Sequence, residues 1–392
     1  MPHSSPADAP ATRGAVALLV ATALAVLTQL YAAIPLFGPV SRSLGGDATF
    51  ALATSFSLTY AIGFLIWGPI SDRYGRKGVL VVAVGILSLT TLLCSFATSL
   101  PVLAILRAGQ GLAAAGFAPV ALAYLTERVA PSWRAAAIGA MSTAFLVAGI
   151  LGQVVASMIA IRLGWAWFFV IFAVVLMVDS ALLLVLLTKT TRRSDVPSLG
   201  LQFTALGRLM IRPGILLLSG AHVTLLLSFV ALYTALGRQL VSLGQEASSV
   251  LLIRLAALPA MFLCLVAAPL IGRIGAMRVA QLGFGLSALG LLVASLSATT
   301  LPVVTVASIG FVSGVALAVP SMISLYSTTS APNQGSGMAI NGFMLFTGAS
   351  LGPILANGVE SFSALMLVLV GLLGLAELCL VILAGIRSAA GA

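Results

Sequence analysis

The sequence predicts an all-α integral membrane protein of twelve transmembrane helices arranged as two related six-helix halves, and three observations carry that prediction. Of 392 residues, 60% are hydrophobic and 7% charged, against roughly 25% charged in a soluble domain, which excludes a water-soluble fold. Apolar stretches recur at a length of about 20 residues, the number that crosses a bilayer core about 30 Å thick at about 1.5 Å per residue. The second half of the chain repeats the first at an offset of about 200 residues.

Taken in order, the predicted spans are 15–38, 48–71, 78–98, 101–125, 135–158 and 165–188, then 214–236, 248–271, 279–299, 302–326, 337–357 and 362–386. The first is longer than the roughly 7–15 apolar residues of a signal-peptide core, and no charged segment with a small-residue cleavage site follows it, so it is expected to stay attached. Between spans six and seven lies the longest inside segment, with Arg192, Arg193 and Pro197 followed by an amphipathic stretch at 199–210. It is expected to lie along the cytoplasmic surface, its basic residues against the anionic leaflet. The expected organisation is a bundle at 1–188, a linker at 189–213 and a second bundle at 214–392.

Charge placement orients these spans. With a cytoplasmic N-terminus, the inside segments hold Arg13, Arg73, Arg76, Lys77, Arg128, Arg134, Lys189, Arg192, Arg193, Arg208, Arg212, Arg273, Arg278 and Arg387, and the outside segments only Arg42, Arg162 and Arg238. That bias places both termini in the cytoplasm, in a cytoplasmic (inner) membrane, and accounts for the net charge of +10 without a nucleic-acid partner.

The repeat is read residue by residue. Ser99-Leu100-Pro101-Val102 returns as Thr300-Leu301-Pro302-Val303, Pro69 to Gly75 as Pro269 to Gly275, Ala130-Pro131 as Ala331-Pro332, and Leu151-Gly152 as Leu351-Gly352. Asp179 and Glu377 each stand ten residues before a basic end, Lys189 and Arg387. Two parallel six-helix halves imply a binding site at their interface and transport by rocking one half against the other.

After the second span runs Gly68-Pro69-Ile70-Ser71-Asp72-Arg73-Tyr74-Gly75-Arg76-Lys77. It resembles the signature loop of the major facilitator superfamily, G-x-x-x-D-R-x-G-R-[RK], at all six fixed positions. Helix count, repeat and loop placement extend the resemblance over the chain. It implies the superfamily's fold of two pseudo-symmetric bundles and a cytoplasmic gate built from Gly68, Asp72, Arg73, Gly75, Arg76 and Lys77. Gly68 would let a helix approach closely, Asp72 would face the positive N-terminus of span eleven, Gly75 would permit the turn, and Arg76 and Lys77 would anchor it at the headgroups.

Arg107, Gln110 and Gly111 in span four are similar to the family's R-x-x-Q-G motif. An arginine in hydrocarbon faces a cavity or snorkels to the boundary, and both readings stand for Arg107 and for Arg254 in span eight. The antiporter motif of span five is matched in part, with Gly139, Gly149 and Gly152 present and Gln153 where a proline is expected. Its counterpart Gly348-Ala349-Ser350-Leu351-Gly352-Pro353 keeps the proline. These small residues also serve helix packing and hinging. The same run matches G-x-S-x-G, but the strand-to-helix turn and histidine that a hydrolase needs are missing.

No G-x-x-x-x-G-K-[ST] loop occurs, and Cys94, Cys264 and Cys379 stand in separate spans, so neither a nucleotide, a metal nor another cofactor is expected. The proton gradient is the expected energy source, with Asp72, Asp179 and Glu377 as candidate proton carriers. Gln29, Tyr31, Gln110, His222, Tyr233 and Asn341 join Arg107 and Arg254 as candidate polar contacts of the substrate pathway. Spans one and four lack the carboxylate that cation exporters of the family carry, and two arginines without a balancing acid favour neutral or anionic solutes. The resemblance implies a monomeric, proton-coupled exporter of a drug or metabolite. Import of a small neutral or anionic nutrient and a non-transporting sensor on the same fold are the alternatives, and an enzyme is not expected.

Overall fold

The computed structural model describes residues 11–188, 198–244, 249–296, 300–331 and 334–391; Lys189, Arg192, Arg193 and Pro197 of the predicted linker lie outside them. The helices are α1 Arg13–Tyr31, α2 Ala33–Leu44, α3 Ser55–Tyr74, α4 Arg76–Cys94, α5 Leu100–Ala114, α6 Ala118–Arg128, α7 Pro131–Arg162 and α8 Trp165–Leu186. They continue as α9 Leu199–Met210, α10 Pro213–Ser242, α11 Ser249–Met261, α12 Leu263–Ile274, α13 Ala276–Leu296, α14 Leu301–Thr329, α15 Gln334–Gly358 and α16 Phe362–Gly391. Among the described residues eleven helical segments are long and apolar enough to cross a membrane. The bent α7, whose parts Ala137–Phe145 and Val147–Arg162 meet at 43°, brings the number to twelve.

Three predicted spans are broken rather than continuous. Span one divides at Ala32 into α1 and α2 and runs on to Leu44, because Pro35 has no N–H for the Tyr31 carbonyl. Span four divides over 115–117, with Pro119 in the first turn of α6. Span eight divides at Phe262, three residues after Pro259, where two tight bonds, Phe262 N to Pro259 O at 3.2 Å and Leu265 N to Phe262 O at 3.0 Å, replace the regular ladder. Span two opens with a π-helical turn, Phe50–Thr54, ahead of α3.

Contacts divide the chain into two compact units, Met1–Thr204 and Ala205–Ala392, the boundary falling within α9. In the first unit α1 packs on α7 and α8, α3 on α5, and α4 on α8 and α5. In the second, α10 packs on α15 and α16, α11 and α12 on α14, and α13 on α16 and α14. The two units thus bring corresponding spans together in the same scheme. Burial follows from it: in α8 28% of the apolar window is covered, in α10 72%. α8 and α16 accordingly present rows of exposed aliphatic side chains, among them Val174, Val178, Val185, Leu375, Leu378 and Ile382, as lipid-facing helices do.

Candidate functional site

The turn between α3 and α4 is one residue long. Gly75 sits there at φ +92°, and its counterpart Gly275 between α12 and α13 at φ +87°, a region that costs any residue with a Cβ. The turn sets Asp72 and Arg73 on the last turn of α3 and Arg76 and Lys77 on the first turn of α4. Arg76 gathers the cluster: its guanidinium pairs with Asp72, donates to the Ser71 hydroxyl, and reaches Glu127 Oε1 on α6 at 3.1 Å. Lys77 Nζ donates to the Leu187 carbonyl at 2.6 Å, capping the C-terminal end of α8 where a cation is favoured. Within the unit, Arg76 thus meets two carboxylates and Lys77 a helix end, and these are charge-assisted bonds. Gly68 contributes its carbonyl, which accepts from Ser71 Oγ at 2.9 Å. Arg73 is half-buried.

Arg107 on α5 is 1% exposed and lies at the centre of a closed network. Nε and Nη2 donate to the Leu52 carbonyl at 3.0 and 2.6 Å, Nη2 also to the Gln29 carbonyl at 3.0 Å, and Nη1 to Gln110 Oε1 at 2.5 Å. Gln110 Nε2 in turn donates to Gln29 Oε1 at 3.0 Å and to Thr91 Oγ1 at 2.7 Å. The guanidinium carbon stands 4.2 Å from the Phe56 ring centroid. The network joins α1, the π-helical turn, α4 and α5. Arg107 does not snorkel; its donors are taken by the protein's own carbonyls.

Arg254 on α11 is 2% exposed, and its guanidinium carbon lies 4.2 Å from the Tyr233 ring centroid. Nε, Nη1 and Nη2 have no hydrogen-bond partner among the described residues. A desolvated cation–π contact is worth about 2 kcal/mol, and an unpaired buried charge costs several. Tyr233 is itself held, its hydroxyl 2.7 Å from Ser308 Oγ and its ring edge-on to Phe229 at 5.0 Å. Elsewhere on α10, His222 Nε2 lies 3.0 Å from the Asn341 amide nitrogen of α15, and its ring meets Tyr326 edge-on at 5.6 Å. Tyr326 bonds Ser219 at 3.0 Å. His222 Nδ1 and Ser228 Oγ are buried without a partner.

The two embedded acids differ. Asp179 on α8 is 8% exposed, with Thr22 of α1 beside it and Oδ2 unpartnered, so it faces the unit's interior and not lipid. Glu377 on α16 is half-buried, with Oε2 unpartnered. Neither is in an ion pair; among the described residues both ion pairs belong to Arg76.

The glycines of spans five and eleven sit at corresponding contacts. A Cβ on Gly152 would come within 2.9 Å of Thr28 Oγ1 on α1, whereas one on Gly149 would meet the half-buried Tyr31 ring at an ordinary 3.6 Å. On α15, a Cβ at Gly348 would strike the Val223 carbonyl of α10, and one at Gly352 would lie 2.9 Å from the Leu227 carbonyl. Pro353 follows inside unbroken α15.

Sequence reasoning missed Glu127, Leu52, Thr91, Phe56, Ser308 and Tyr326. Glu127 carried a signal, as an acid at the inner end of a span otherwise flanked by basic residues. The Leu52 carbonyl carried none.

A profile of the Major Facilitator Superfamily matches residues 18–353. The inner membrane transport protein YnfM of Escherichia coli is 32% identical over 150 residues, 38% of this chain and 36% of that protein. The probable multidrug resistance protein EmrY of the same organism is 29% identical over 158 residues, 40% of this chain and 31% of that protein. Multidrug resistance protein 3 of Bacillus subtilis is 28% identical over 135 residues, 34% of this chain and 26% of that protein. The matches thus span about a third of each relative's length.

Proposed function

The chain belongs to the Major Facilitator Superfamily, and on that premise we propose that it exports a drug-like molecule or metabolite across the cytoplasmic membrane by alternating access, coupled to proton entry. It is an integral membrane protein of a transporter family and not an enzyme. The observation that carries the reading is the Asp72–Arg76–Glu127 cluster at the α3–α4 turn. These charges tie the ends of α3, α4 and α6, and Lys77 adds α8. Helix ends joined by charges near the surface separate at little cost, because such pairs are individually weak. A gate needs that property.

Export is supported by the names of two relatives, EmrY and multidrug resistance protein 3. Proton coupling is supported by Asp179, a buried carboxyl outside any ion pair among the described residues. Asp72 and Glu377 are the other carriers in this reading, which also has a monomer with both termini in the cytoplasm.

The test is uptake of cationic, neutral and anionic dyes into inverted vesicles under an imposed pH gradient. The reading expects accumulation that collapses with the gradient, and an Asp72→Asn variant that folds and inserts but does not transport. Flux indifferent to the gradient contradicts proton coupling, and normal flux through Asp72→Asn contradicts the gate.

A further inference from the structure

Resting on the transport reading and narrowing its substrate, we infer that Arg254 is a binding subsite for an organic monocarboxylate. The side chain is buried, and none of its three nitrogens has a hydrogen-bond partner among the described residues. Among the described residues no ion pair reaches it. Among the described residues its stabilising neighbour is the ring of Tyr233, and a cation–π contact offsets only part of the cost of burying a charge. The rest is offset when an acceptor of opposite charge arrives.

The chemistry of that acceptor follows from the donors. A guanidinium presents its N–H groups as a planar fork that matches two carboxylate oxygens at once. One cation balances one negative charge, so a monocarboxylate leaves the site neutral where a phosphate dianion or a dicarboxylate leaves a buried excess. Tyr233 is a fixed platform, its hydroxyl held by Ser308 and its ring by Phe229, which suits an apolar body attached to the carboxylate. The other buried arginine is excluded from the role, because the Leu52 and Gln29 carbonyls and Gln110 already occupy Arg107.

The experiment is thermal stabilisation of the purified full-length protein by acetate, hexanoate and benzoate, each against its matching alcohol, and by benzyltrimethylammonium. The expected result is saturable stabilisation by a monocarboxylate and none by the alcohols or the cation. Affinity falls about 100-fold or more in Arg254→Gln, as loss of two charge-assisted bonds requires, and falls less in Arg254→Lys. Arg254→Gln is expected to fold, since no protein acceptor loses a bond, and Arg254→Lys supplies the comparison if it does not. Glu246, eight residues earlier, lies outside the described residues, so Glu246→Gln serves as a control that leaves binding intact.

Stabilisation by no monocarboxylate, equal stabilisation in Arg254→Gln, or a matching loss in Glu246→Gln overturns the inference. Binding is read without flux: monocarboxylate stabilisation in a protein that moves nothing keeps the subsite and removes the transport reading. Gradient-driven dye transport in a protein that no monocarboxylate stabilises keeps the transport reading and removes the subsite.

Discussion

The two units each bury one arginine against an aromatic ring, at the same 4.2 Å, and treat it in opposite ways. Arg107 donates to two backbone carbonyls and a glutamine that belong to its own unit, so it knits three helices and the π-helical turn into one body. Among the described residues Arg254 has the ring alone. An apolar interior tolerates a charge when its donors are satisfied. The first unit meets that condition from within, and the second leaves it to a ligand. A residue type by itself therefore says little about role in a membrane protein; the bonds it has already made decide it.

The comparison breaks most visibly at Arg107. Replacing it by Met strands the Leu52 and Gln29 carbonyls and Gln110 in the interior, and unfolding in a detergent titration should show a loss of about 3–5 kcal/mol. Arg254→Met removes a charge that holds no protein partner. It is expected to keep wild-type stability or gain up to about 3 kcal/mol while losing the carboxylate response, and a loss as large as that of Arg107→Met would erase the distinction.

The glycines give a second, smaller contrast. Gly348→Ala drives a Cβ into the Val223 carbonyl and should cost about 1–3 kcal/mol by overpacking the α10–α15 contact. Gly149→Ala lands at van der Waals distance from Tyr31 and should match or exceed wild type in melting temperature, alanine being about 1 kcal/mol the better helix former. The smallest effect on stability belongs to Glu127→Gln. Its pair with Arg76 is partly exposed, so the melting curve should move by less than about 1 kcal/mol, while the proposed gate role predicts a changed transport rate.

Much of the fold was legible because the bilayer imposes a length on every apolar run, and because Gly75 and Gly275 mark turns that no other residue makes cheaply. The breaks were not. Pro35, Pro119 and Pro259 accompany interruptions, yet Pro69, Pro269, Pro320 and Pro353 stand inside unbroken helices. Whether a proline breaks a helix depends on what satisfies the carbonyl it frees, which the sequence does not display. The signature loop was legible as a motif, but its partner Glu127 lies 51 residues from Arg76 and only folding brings them together. For the buried arginines the sequence named both and could not separate them. The partners that settle Arg107 are backbone carbonyls, which every residue has.

The most direct measurement is benzoate titration by calorimetry on three proteins that have first been shown folded: wild type, Arg107→Lys and Arg254→Met. The account predicts heat of binding in wild type and in Arg107→Lys and none in an Arg254→Met protein that melts no earlier than wild type. Undiminished benzoate binding by Arg254→Met, or its collapse to the stability of Arg107→Met, would contradict it.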